Sequence, residues 1–135
     1  MEEFPIEKVV PTKAKIQGKD GDVSMEVFLK PFELEFEDYY EDVETSIRLD
    51  SIACPISPSH LEGRFFDFPT NPAPGYIDGS IYFFATHNPI DVTRIEFGKI
   101  ELGKLPVALT TSWLLEYEST GFRNLDTVIR SYIEF

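Results

Sequence analysis

The sequence predicts an all-β fold: a single-domain antiparallel β-sandwich or flattened barrel of about eight strands spanning residues 1–135, with at most one or two short helical turns. Three observations carry that expectation. Apolar residues alternate with polar ones over several segments, which is the period of a strand with one buried face. No long segment repeats apolar residues at the 3.6-residue period of a helix. Proline- and glycine-rich stretches, PISPSH and PTNPAPG among them, separate the alternating segments.

Taken in order, Val23, Met25, Val27 and Leu29 alternate with polar residues. Lys30-Pro31 interrupts them, and Phe32, Leu34 and Phe36 resume on the other parity, so a bend or bulge is expected between the two. In the next stretch Phe36, Tyr40, Val43 and Ile47 fall at helical spacing, which allows one or two helical turns there. Short strands are expected near residues 45–53, 62–68 and 76–85, and Ser57-Pro58 can start a single turn of helix. Asn88-Pro89 reads as a turn between strands.

The second half is clearer. Ile95 and Phe97 share one parity and Ile100 and Leu102 the other, a switch at Gly98 that reads as a bulge. Gly103-Lys104 then connects to a long strand with Val107, Leu109, Thr111, Trp113, Leu115 and Tyr117 on its buried face. Pro106 belongs at the start of that strand or on its unpaired side. Leu125 to Phe135 repeats the pattern, so the last three strands are expected to form a meander.

Composition bounds the function. The chain has 24 acids against 12 bases, a formal charge of −12, which argues against phosphate backbones and anionic lipid as direct ligands. No apolar run approaches the roughly 18 residues of a membrane helix. The single cysteine, Cys54, cannot form an internal disulfide, and MEEFPIEKVV is unlike a secretory signal, so a cytoplasmic location is expected.

Specific catalytic signals are missing, and no catalytic residue, cofactor or metal is assigned. His60 and His87 are the only side chains with an unperturbed pKa near neutrality. His87 has Asp78 and Asp91 nearby in sequence, but an exposed turn residue is the simpler reading. Cys54 is in phase with Ile52, as a small core residue would be. There is no G-x-S-x-G elbow and no glycine-rich phosphate loop. Glu33, Glu35 and Glu37 on an extended strand would lie at ~6.8 Å intervals, too far apart to wrap one calcium ion.

The charge is concentrated. Residues 31–50 hold eight acids against Arg48 alone, and EFEDYYEDVE, residues 35–44, holds six acids with two tyrosines at its centre. Two carboxylates ~7 Å apart repel by only roughly 0.6 kcal/mol in water, so a solvated corner tolerates such a run. Tyrosine embedded in one-sign charge is, however, the composition of an interface that steers an oppositely charged partner. The expected binding residues are therefore Glu37, Asp38, Tyr39, Tyr40, Glu41 and Asp42, and the expected partner is a basic protein. Small acidic chains without catalytic motifs have the look of inhibitors of basic toxins or nucleases, including immunity proteins, at the level of class analogy. The alternative is a carbohydrate-binding or hydrolytic β-domain built on aromatics and carboxylates. For that reading Phe28, Tyr39, Tyr40, Tyr82 and Tyr132 would form a patch, whereas Trp113, in phase with Leu109 and Leu115, is core.

Overall fold

A computed structural model describes residues 1–135. Ten strands form in the order β1 (Pro11–Lys19), β2 (Asp22–Leu29), β3 (Phe32–Phe36), β4 (Tyr39–Val43), β5 (Ser46–Ile52), β6 (Phe65–Asp67), β7 (Asp78–Phe83), β8 (Thr86–Phe97), β9 (Lys104–Trp113) and β10 (Leu125–Glu134). Helix is confined to a 3-10 turn at Ile6–Lys8 and to α1, Pro58–Leu61, which Ser57 and Pro58 start as expected. The fold is all-β.

Seven strands close into a barrel in the order β1, β2, β5, β7, β8, β9, β10, and β6 pairs with Arg94–Glu96 of β8 on the edge that β7 serves over Thr86–Ile90. Six neighbouring pairs are antiparallel and the seventh, β1 with β10, is parallel, a departure from the antiparallel expectation. The reason is parity. An odd number of strands cannot alternate in direction all the way round a ring, so one seam must be parallel. That seam pairs only Lys13 with Tyr132 and Ala14 with Ile133.

The core follows the alternation. Val23, Met25 and Val27 of β2 meet Ile47 and Leu49 of β5, while Val107, Leu109, Thr111 and Trp113 of β9 face inward and β8–β9–β10 form the meander. Trp113 is fully buried; its Nε1 donates to Thr111 Oγ1 at 3.0 Å, and that hydroxyl donates to the Thr127 carbonyl at 2.7 Å. A buried indole N–H costs stability unless it finds such an acceptor. Phe4, from the N-terminal segment, packs on Phe83, Trp113 and Phe122 at one end of the barrel.

Several local expectations are corrected. Asn88-Pro89 lies inside β8; the turn is Phe84-Ala85, four residues earlier. Pro89 fits a ladder because its carbonyl, and hence its missing N–H, faces Leu114, just beyond the end of β9. Pro106 uses the same device just past the end of β8, and the Gly98 carbonyl it cannot satisfy accepts from Gly63 N–H. The parity switch after Gly98 is not a bulge within a strand, since β8 stops at Phe97 and Leu102 is 99% exposed at the tip of a two-residue turn. The bulge of β8 lies between Val92 and Arg94. Tyr117 falls past the end of β9 and is exposed.

Candidate functional site

Lys30-Pro31 ends β2 and sends the chain out of the barrel, so β3 and β4 form a separate two-stranded hairpin. The acidic run is this hairpin; the helical turn allowed by its spacing does not form, because Phe36 and Tyr39 pair across a two-residue turn at Glu37-Asp38. Buried Phe32, Leu34 and Val43 hold the hairpin against the end of the barrel.

The register divides the expected binding residues between two faces. Opposite residues of a hairpin share a face, so Glu33 with Asp42 and Glu35 with Tyr40 point outward, whereas Leu34 with Glu41 and Phe36 with Tyr39 point toward the barrel. Glu37 and Asp38 sit exposed at the tip. Tyr39 and Tyr40 are 51% and 52% exposed but do not form one platform. On the outer face Tyr40 Oη donates to Asp42 Oδ1 at 2.6 Å, and this bond, some desolvation and the nearby Glu33 raise the tyrosine pKa far above its ordinary value. On the inner face Glu41 Oε1 accepts from the Phe84 N–H at 3.2 Å, so Glu41 is a structural acceptor rather than a free surface charge.

Tyr39 stands edge-on to Phe84, ring centres 4.6 Å apart at 84°. With Phe36 these rings line a cleft of about 310 Å³, walled opposite by Thr86, Glu118, Ser119 and Thr120. Three connections thus meet here: the β3–β4 tip, the β7–β8 turn and the segment between β9 and β10. Their backbone is unusual. Six non-glycine residues have positive φ; two of them, Phe84 and Ser119, line this cleft, and two more, Glu37 and Ala85, adjoin lining residues in the chain. Left-handed backbone at a side-chain-bearing residue costs on the order of 1 kcal/mol or more and persists where surrounding packing dictates it. At the β7–β8 turn that packing is Phe84 against Phe83, Tyr39 and Phe122. Gly121 completes the arrangement: at φ +99° it lies against the Phe36 ring, in the space that a Cβ would take.

The other candidates stay apart. His60 and His87 are exposed; His87 packs on Tyr82 at 4.7 Å, and no hydrogen bond joins it to Asp78 or Asp91. Asp78 and His87 do line a shared groove of about 440 Å³ with Tyr117. Cys54 is buried, and desolvation, with a smaller contribution from Asp20, pushes its thiol up to about 11. With an unfolded-state value near 8.5, its alkylation by iodoacetamide at pH 8 is expected to be on the order of 100-fold slower in the folded protein than in denaturant. Equal rates would place the thiol at the surface. Phe28, Tyr39, Tyr40, Tyr82 and Tyr132 lie on four different strands with no ring contact among them, so the aromatic patch is not formed. No three His, Cys, Asp or Glu side chains converge as a metal site requires. No helix is long and apolar enough to cross a membrane.

Compared with protein families, curated proteins and solved structures, the chain matches none. The residues that sequence reasoning missed are Phe36, Phe84 and Glu118 in the cleft, and Glu33 and Glu35 on the outer face. One signal was present: Tyr82-Phe83-Phe84 sets three aromatics in a row, and a strand with one buried face cannot bury them all.

Proposed function

We propose that this chain is a non-enzymatic, cytoplasmic binding domain that captures a basic protein, in the manner of an inhibitor or immunity-type protein. The observation that carries the reading is the adjacency of two features: a hairpin whose outer face and tip present Glu33, Glu35, Glu37, Asp38 and Asp42, and a cleft at its base lined by Phe36, Tyr39 and Phe84. Charge of one sign raises the encounter rate with a basic surface, and an aromatic cleft supplies the contact that slows release. A lysine or arginine of the partner suits that cleft, since a cation is attracted both to ring faces and to the Glu118 carboxylate at its wall.

The test starts from affinity capture on the immobilised chain from the native cell, with salt elution of basic proteins, and continues with the purified partner. Tyr39→Ala is expected to raise the dissociation rate at least tenfold with little dependence on salt, because the ring is an anchor rather than a charge. Tyr39 is half exposed, so the fold tolerates its loss. An unchanged dissociation rate would remove the cleft from the interface.

A second reading, carbohydrate binding, is favoured by the groove between Asp78, His87 and the exposed ring of Tyr117. Saturation by an oligosaccharide with loss on Tyr117→Ala would move the function there.

A further inference from the structure

Strand β1 pairs with β2 along almost its whole length, but with β10 at two positions only, because β10 ends at Glu134. Alternate residues of a strand turn their N–H and C=O to opposite sides. The side that Ala14 gives to β10 is also the side of Ile16 and Gly18, and no strand or loop pairs with them there. Beside this free edge lies a groove of about 740 Å³, bounded by Ala14 to Gly18 and by Ile133 to Phe135, with Ile56 and Pro58 at its far wall. Barrel closure normally removes edges; here it is incomplete over half a strand.

The charge of this strand is opposite to that of the chain. β1 carries Lys13, Lys15 and Lys19 and no acid, in a protein with twice as many acids as bases. All three lysines are exposed and share the outer face, while Ala14, Ile16 and Gly18 occupy the other.

We propose that the free edge of β1 receives an extended acidic segment of a partner protein by strand addition. The backbone groups of Ile16 and Gly18 hydrogen-bond the incoming strand. Its apolar residues enter the groove against Ile16, Ile56 and Ile133, and its alternating carboxylates meet Lys13, Lys15 and Lys19. Lysines on an open edge also oppose pairing of β1 with β1 of a second copy, since that would set like charges side by side. An acidic strand is the occupant that turns the same lysines from repulsive to attractive. The site is independent of the hairpin: Pro11 faces Leu29, where the chain departs toward β3, and Lys19 lies at the far end of β1.

The probe is a blocked seven-residue peptide alternating glutamate with valine, added to the full chain while amide hydrogen exchange is followed by NMR. The Ile16 and Gly18 amides are expected to exchange rapidly in the free protein and to become protected on saturation. Replacing Lys13, Lys15 and Lys19 with glutamate is expected to weaken this peptide at least tenfold and to transfer the preference to a peptide alternating lysine with valine. The Glu33, Glu35, Glu37 and Asp38 lysine variant, which removes the hairpin charge, is expected to bind the acidic peptide as tightly as the parent or more tightly. No protection of Ile16 and Gly18 at millimolar peptide, protection only elsewhere, or equal affinity in the charge-reversed variant would overturn the proposal. So would protection of these amides in the free protein that grows with concentration alongside a doubled sedimentation mass, because the edge would then belong to a second copy.

Discussion

Replacing Trp113 with alanine is expected to destabilise the protein by ~3–5 kcal/mol, the largest single-residue effect in the chain. The ring is fully buried on the inner face of β9 and packs on Phe4 at 5.6 Å. Its loss leaves a cavity that a closed barrel cannot collapse to fill, and it takes the Nε1 donor away from Thr111. A loss of that size is a large share of the 5–15 kcal/mol typical of a domain. Thermal melting should move down by roughly 10–18 °C. A midpoint within about 2 °C of the parent would mean that the ring lies outside the core and that the inner face of β9 is wrongly assigned.

Converting Glu33, Glu35, Glu37 and Asp38 to lysine is expected to slow association with the basic partner by tenfold or more at low salt. Steering raises on-rates by ~10 to 1,000-fold and fades with ionic strength. These four are exposed; the side chains of Glu35, Glu37 and Asp38 make no hydrogen bond or ion pair within the protein, and Glu33 lies beside the Tyr40 hydroxyl, whose short bond goes to Asp42, so the fold should be retained. The hairpin register changes which residues belong in the variant. Glu41 holds the Phe84 N–H and Asp42 accepts from Tyr40, so reversing either would disturb structure as well as charge. The difference in association rate between parent and variant should shrink as salt rises toward 1 M, where screening acts within about 3 Å. Equal association rates at low salt would reduce the hairpin to a solvated corner.

Fold class was legible because the side-chain period of a strand is fixed at two and every barrel strand has one buried face. Val23, Met25 and Val27, or Val107, Leu109 and Trp113, announce that face without help from the rest of the chain. What was illegible depends on partners distant in sequence. Whether Phe36, Tyr40 and Val43 mark a helix or straddle a hairpin depends on where the chain turns, and the turn at Glu37-Asp38 lacks the glycine or asparagine that would signal it. Pro89 looks like a break, yet it lies where the neighbouring strand has ended, as Pro106 does on the unpaired side expected for it. The parallel seam follows from an odd strand count, which no single segment displays. The acidic run was visible as charge, but the cleft beside it was not, since Tyr39, Phe84 and Glu118 meet only after the barrel closes.

The central claim, that the hairpin and the cleft at its base form one binding surface, is tested most directly by amide hydrogen exchange of the chain alone and in complex with its captured basic partner. The expected footprint covers three segments separated in sequence: residues 35–41, 84–86 and 118–121. All three should gain protection together, while the outer faces of β5 and β6 exchange as in the free protein. Protection confined to other surfaces, with the hairpin tip and the Phe84-Ala85 turn exchanging at their free rates, would contradict it.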